Sequence, residues 1–503
     1  MITFHCMMIP SKNSCTVIQH CQNSYQYFHE EDTTMQRYQM ISQNELEQIH
    51  ENSLRIMENI GIIMTHAPAL EILKKHGVKI DGKKALFPRA LVEEAIKNSP
   101  SSYTIHARNP EKNVKISTER AAYAGPYGSP FVTDLDKGRR DGKLEDFINI
   151  VKICDRLENI DIQSHISCEP QDVSVKERPT TMVYNTLKYS DKPLMGSVYG
   201  YENARHCIEM AAIPFGGLDA IKEKPVIASI PCTLTPLSYD DAQLGAIMAY
   251  AETGQPQLIN SLSMAAMTTP ATIAGLVSVQ NAEVLAGIVL AQCINPGTPV
   301  VYSASGSNAD MSSGSLCIGS PEDAVVSLLN GQLAKYYQIP CRISGALSDA
   351  KMMDSQAAYE SAITLMMTQM AGGNFILHSA GIIETYNCTS FEKLIIDNEI
   401  IGNLKRIDQG VTVNEETLAY EVIEEVGPGG VFLTHDHTVE NFRDEFYMPT
   451  LSDRKPYEQW VDNGALPIEK VANAKWKKIL ADYEEPALPA DVDADLRRYM
   501  ENL

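Results

Sequence analysis

Between Ala121 and Ile383 the chain repeats one pattern eight times: a short apolar, β-branched stretch, a polar turn, then a longer segment whose apolar positions recur at helical spacing. The apolar stretches are AAYAGPYGSPFV from Ala121, IDIQSHIS from Ile160, PLMGSV from Pro193, PVIASIPCTL from Pro225, PQLINSLSM from Pro256, PVVYSASG from Pro299, PCRISGALS from Pro340 and NFILHSAGI from Asn374. Five of them open on Pro, which suits a strand's first position because no N–H is needed there. Helix punctuation falls between them. Ser238 with Asp241 reads as a capping box, Thr269 as a cap with Pro270 at the first position, and Ser320-Pro-Glu-Asp323 combines both signals. The helices stop at Gly254, at Asn295-Pro-Gly297 and at Gly372-Gly373. Eight strand–helix units predict an α/β fold, a (β/α)8 TIM barrel over residues 121–388.

Strands buried on both faces should read as unbroken apolar runs, whereas these carry Ser, His, Asn and Gly near their ends. In such a barrel the loops after the strand C-termini build the active site. The residues so placed are Tyr127, His165, Tyr199, Thr235, Ser261, Ser263, Ser307, Asn308, Ser348, Asp349, Lys351, His378 and Glu384.

The flanks add an N-terminal α/β cap over residues 35–120 and a C-terminal helical extension over 389–503, packed on the barrel. In the cap, Ser42-x-x-Glu45 starts an amphipathic helix through Asn59, a second helix covers Ala67 to His76, a third opens at Pro88, and YTIHAR and NVKIS read as strands. After the last strand, Ser390 to Arg406 and Asn414 to Val426 are helical, and the Pro-rich EEPALPADVDADL reads as a solvated tail. The first 34 residues show no clear periodicity and no signal-peptide pattern, so Met35 is the expected physiological start, with 1–34 disordered or mis-annotated.

Composition narrows the function. Hydrophobic residues are 44% of the 503, and no run of about 18 apolar residues stands out, so no membrane span is expected. With 64 acidic against 42 basic side chains, the net charge of −22 disfavours nucleic acid and anionic membranes as partners and suits a cationic small molecule. Eleven cysteines without paired spacing fit a reducing cytoplasm. Gly427 to Gly430 follows a helix and reads as its C-cap, and His435-x-His437 lacks a third ligand of suitable spacing, so no metal is expected. No HExxH, GxSxG, GxxxxGK[ST] or strand-linked GxGxxG occurs.

Several stretches together resemble the trimethylamine methyltransferase family, in its branch without pyrrolysine: YAGPYGSPFVTDLDKGRRDGKLEDF from Tyr123, TPLSYD from Thr235, SMAAMTTPATIAG from Ser263, GTPVVYSASGSNADMSSG from Gly297, GSPEDA from Gly319, SDAKMMDSQAAYES from Ser348, EKLIIDNEIIG from Glu392 and EVGPGGVFLTHDHT from Glu425. The resemblance implies a barrel enzyme that moves a methyl group from an amine to the Co(I) of a separate corrinoid protein. None of the twelve histidines has Asp two residues before it, so the chain lacks the DxHxxG motif of corrinoid carriers, and the cobalamin is expected on the partner. Trimethylamine enzymes activate their tertiary amine with pyrrolysine, and every position here is one of the ordinary twenty. A quaternary ammonium already carries the charge that makes its nitrogen a leaving group. The expected donor is therefore glycine betaine, proline betaine, carnitine, γ-butyrobetaine or a relative.

Such a cation has no N–H to donate and is held by aromatic faces, each worth roughly 0.5 to 2 kcal/mol. Tyr127, Phe131, Tyr199, Tyr201 and Tyr302 lie at or near strand ends. Arg342, Lys351 and His378 are the candidate donors to a betaine carboxylate, with His165, Asn308, Asp349 and Glu384 completing the expected substrate-binding set. A homo-oligomer is compatible with the sequence. Two other readings stand beside this one: a barrel lyase or aldolase with Lys351 as Schiff-base nucleophile, which borohydride trapping would reveal, and a non-catalytic betaine-binding protein, which would bind without turnover.

Overall fold

The computed structural model describes residues 38–503. The expectations for residues 1–34 lie outside the described part.

Eight segments run parallel, each paired with the next. They are Ala122–Tyr123 with Ala124, the short stretch 162–163, Leu194–Met195, Ile227–Ala228 with Ser229, Gln257–Ala265, Val300–Asn308, Cys341–Ser344 and Phe375–Leu377. The eighth pairs with the first, Phe375 opposite Ala122, so the order of pairing returns to its start. Each segment is followed by a helix: Leu144–Arg156, Arg178–Tyr189, Tyr201–Ala212, Asp241–Glu252, Ile273–Ile294, Pro321–Tyr337, Ser355–Met370 and Phe391–Asp408. This is a mixed α/β fold built on a parallel sheet, and the eight sequence periods each supply one strand and one helix.

Side chains alternate across each strand, and the faces differ. Ala122, Ala124, Ile162, Met195, Ala228, Leu258, Val301, Phe375 and Leu377 form one apolar cluster on the face turned away from the helices. Ile105 and Ile116 join it from the antiparallel hairpin Ser102–Ile105 and Val114–Ser117. That hairpin lies at the strands' N-terminal end, where His106 N–H donates to the Pro225 carbonyl. The hairpin therefore covers that end with apolar side chains.

Helix Ile273–Ile294 has a mean hydropathy of 1.7 over 18 residues, long and apolar enough to cross a membrane, although the sequence reading found no such run. It is apolar all round because it is covered on both sides: strands Gln257–Ala265 and Val300–Asn308 lie on one side, helices Gln43–Arg55 and Arg89–Asn98 on the other. The N-terminal segment thus covers a core helix. Strand Ile62–Met64 adds to this contact by pairing with Ser238–Tyr239.

Helix starts shift from their predicted residues. Ser238 lies in a strand pairing, and Asp240 caps the helix by accepting from Gln243 N–H at 2.7 Å. Thr272, three residues beyond the predicted Thr269, precedes helix Ile273–Ile294. The expected solvated tail is instead helix Ala490–Glu501, whose Leu496 is fully buried and whose Tyr499 hydroxyl donates to Glu209 at 2.6 Å. Pro489 immediately before it sets the entry of a helix, where the sequence reading took Pro as evidence of a loop.

Candidate active site

Past the apolar cluster, the same inward face turns polar. Arg342 lies on strand Cys341–Ser344 and is 2% exposed. One guanidinium nitrogen donates to Asn260 Oδ1 at 3.2 Å and to Ser305 Oγ, and the other donates to His378 Nδ1 at 2.9 Å. Its Nε has no partner, and no carboxylate among the described residues forms an ion pair with it. Burial pulls the guanidinium below its ordinary pKa. A buried cation whose hydrogen-bond partners are all neutral leaves a large part of its desolvation cost uncompensated.

The hydrogen bonds fix the tautomer of His378. A guanidinium has only donors, so Nδ1 accepts and Nε2 carries the proton, which it donates to the Tyr127 carbonyl at 3.1 Å. Burial and the adjacent Arg342 charge hold the imidazole well below its ordinary pKa, so it stays neutral. Its one N–H is used within the protein, and its Nδ1 accepts from Arg342. The ring is enclosed by Tyr127 at 6.3 Å and Tyr386 at 4.8 Å between centroids.

His378 is held at φ 59°, and Glu384, Thr385 and Tyr386 follow at 53°, 54° and 71°. Left-handed conformations are costly for residues with a Cβ, and four so close together occur where the surrounding structure imposes them. Here the imposed turn brings Tyr386 against His378 and places its hydroxyl 3.3 Å from Ser344 Oγ.

Of the residues expected from sequence, the structure brings together Tyr127, Arg342 and His378. The buried Tyr127 hydroxyl is unpartnered. His165 lies on the adjoining loop, where Gly128 N–H donates to the Ile166 carbonyl at 2.7 Å. It is 1% exposed, both ring nitrogens lack partners, and burial lowers its pKa to about 3. Tyr199 is half exposed on the loop after Leu194–Met195. Asn308 accepts from Ser307 and Ser320 at 3.1 and 3.0 Å. Asp349 accepts from the backbone of Ile318 and Gly319 and from the Thr385 hydroxyl, tying three loops together.

The remaining expected residues lie apart from this cluster. Tyr302 faces the helices, packed on Tyr337 with its hydroxyl donating to Asn281 at 3.1 Å. Phe131 belongs to a separate small sheet and lies under the Arg139 guanidinium at 3.7 Å. Glu384 is held by Arg139 Nε at 2.9 Å. Lys351 is exposed, and its ammonium donates to the Asp349 carbonyl at 2.6 Å rather than to Asp349 or Asp354 carboxylates. Among the described residues no group of acids, histidines and cysteines is arranged to hold a metal.

The inward residues that the sequence reading passed over are Asn260, Ser305, Ser344 and Tyr386. Ser261 and Ser263, expected at the site, lie one position out of register and face the helix layer, where Ser261 donates to Glu283 at 2.6 Å. A one-residue slip exchanges the two faces of a strand. The alternation of Leu258 with Asn260 was the signal that gives the correct face.

Comparison with known proteins agrees with the resemblance noted above. The model of the family "Trimethylamine methyltransferase (MTTB)" matches residues 13–502. The chain is 47% identical to a glycine betaine methyltransferase of Desulfitobacterium hafniense (strain Y51), over 92% of this chain and 97% of that protein. It is 31% identical to the trimethylamine methyltransferase MttB of Desulfitobacterium hafniense (strain DSM 10664 / DCB-2), over 92% and 93%. It is 30% identical to a proline betaine:corrinoid methyltransferase of Eubacterium limosum, over 92% and 96%. A family model spanning nearly the whole chain, with relatives covered almost end to end, makes this protein a member of the trimethylamine methyltransferase family.

Proposed function

We propose that this chain is a (β/α)8 barrel enzyme that transfers a methyl group from a betaine, an inner salt with a quaternary nitrogen and a carboxylate, to the cobalt of a separate corrinoid protein. The observation that carries this reading is Arg342: a buried guanidinium on the inward face, with an unpartnered Nε and no counter-carboxylate. A substrate carboxylate supplies the missing anion and accepts the free N–H. In this reading the eighth helix, Phe391–Asp408, is counted with the barrel.

Cobalt(I), when the partner delivers it, is the nucleophile that takes the methyl group in line as the tertiary amine leaves neutral. The chain's own contribution is to bind, aim and dry the donor. Arg342 anchors the carboxylate, His378 and Asn260 hold Arg342, and the rings of Tyr127 and Tyr386 face the nitrogen's methyl groups. Because charge is lost as the methyl group departs, a water-excluding pocket favours the transition state, and positioning alone is worth about 7 kcal/mol or more. Apolar side chains on the loops and strand ends around this end, Leu234, Leu262, Met267, Met311 and Met352, are 41–81% exposed and suit a partner bringing a broad, largely apolar macrocycle. The eight free cysteines among the described residues fit a cytoplasmic protein.

The test mixes the protein with reduced corrinoid protein and each betaine and follows loss of the cobalt(I) absorbance. Turnover with at least one betaine is expected, and Arg342→Ala should raise its KM about 100-fold, as loss of a charged contact of roughly 3 kcal/mol implies. Turnover of trimethylamine alone at the rate of the best betaine would overturn the reading. The Lys351 aldolase alternative has no support in the geometry, because that ammonium is exposed and far from being desolvated.

A further inference from the structure

Helix Phe391–Asp408 ends at the foot of an excursion of the chain, residues 411–444. Arg406 pins both of its ends. One guanidinium nitrogen donates to the Gly410 carbonyl at 3.0 Å, Nε donates to the Glu445 carbonyl at 2.8 Å, and the remaining nitrogen pairs with the Glu445 carboxylate at 2.8 Å. Between those ends no residue is buried against the described residues. Helices Glu415–Leu418, Tyr420–Val426 and Asp436–Glu445 have no buried position, and helices shorter than about 12 residues are marginal in water on propensity alone. Val411, Val413, Leu418, Tyr420, Phe432 and Leu433 are 44–76% exposed. An arm of this composition needs a surface to lie on.

A matching surface stands open on the same chain. Helix Ser355–Met370 carries one charged residue, Glu360, which is buried and accepts from the Ser348 hydroxyl at 2.7 Å. Its outer face presents Tyr359, Ile363 and Met366, spaced i, i+4 and i+7 and 55, 45 and 37% exposed, where a helix facing water ordinarily carries charge. Gln369 of this helix donates to the Leu404 carbonyl of Phe391–Asp408 at 3.4 Å, so the helix with the uncharged stripe adjoins the helix from which the arm departs. The arm leaves its own stripe uncovered.

We propose that the arm clasps a second copy of this chain, covering Tyr359, Ile363 and Met366 of that copy while the second copy's arm covers the same stripe here. An arm that starts beside the stripe it seeks suits a reciprocal, two-fold exchange. Arm and stripe together present more apolar surface than the about 800 Å2 per partner of a standard interface. The arm's charge selects this occupant. Residues 411–444 hold eight acidic side chains and one basic, Arg443, so arm against arm sets like charges together, and an anionic lipid surface repels it. A stripe without charge does neither. A carrier bringing cobalt to the C-terminal ends of the strands does not call for the outer face of a helix. The inference is independent of the choice of methyl donor.

Sedimentation velocity of the full chain at micromolar concentration should show a dimer or a multiple of it. The double variant Tyr420→Glu, Leu433→Glu in the arm and the single variant Ile363→Glu on the stripe change only exposed side chains. Each alone should weaken self-association about 100-fold with its circular dichroism retained. Mixing the two should restore association in part, because the intact arm of one meets the intact stripe of the other. A monomeric wild type, an oligomer that neither variant weakens, or a mixture that stays monomeric would each overturn the inference. A wild type that is monomeric until the corrinoid protein is added would assign the arm to the carrier instead.

Discussion

Arg342 illustrates how a single side chain reports on its ligand. Its hydrogen-bond partners, Asn260, Ser305 and His378, are all neutral, so they position the guanidinium without cancelling its charge. The neutrality of His378 has a consequence for stability. Its pKa lies well below the ordinary value in the folded chain, as does that of His165, at about 3. In the unfolded chain both return to about 6.5. Between that pH and the folded values the unfolded state binds more protons, so stability is fully present above about pH 6.5 and falls as pH drops below it. Urea unfolding at pH 7.5 and 5.5 should show this loss, and His165→Asn or His378→Asn should shrink the difference between the two. At this scale, the sequence displayed Arg342, His378 and Tyr127, because each is a polar side chain within one of the eight apolar stretches. It hid Tyr386, which reaches the site through a left-handed turn that no local residue preference announces, and it hid Asn260 behind the neighbouring Ser261.

Helix Ile273–Ile294 couples the core to the mouth of the site. Its Glu283 is fully buried and accepts from Thr233 and Thr235 at 2.8 Å, from Ser261 and the Leu237 N–H at 2.6 Å. One carboxyl group thereby fixes the loop after the fourth strand. Burial raises its pKa, and the four donors oppose that shift. Glu283→Gln replaces one acceptor oxygen by a donor facing hydroxyl groups and a backbone N–H, so a loss of about 1–3 kcal/mol is expected, read as a lower melting temperature. The helix itself was legible as an apolar period, whereas its burial on all sides was not. That depends on the N-terminal helices covering it, a contact between segments some 200 residues apart in sequence.

Across the whole molecule, the eight-fold rhythm of strand and helix was readable because each unit repeats the same two periodicities, and the structure supplies one strand and one helix for each. The docking of the last helix was not readable. Leu496 and Tyr499 occur in a segment rich in acid and proline, and only the groove beside Tyr201–Ala212 gives them a place. The hairpin Ser102–Ile105 and Val114–Ser117 was seen as two strands, but nothing local indicated that Ile105 and Ile116 would lie under the parallel segments.

That hairpin imposes an itinerary. With one end of the fold filled by isoleucine, donor, acceptor and spent amine must all pass through the opposite doorway. The small molecule has to enter before the large one arrives, and the demethylated amine can depart only after the large one has moved aside. Initial rates should therefore show compulsory-order kinetics, with surplus carrier protein slowing turnover at low betaine and high betaine relieving it. Random-order patterns would mean that a second way in exists.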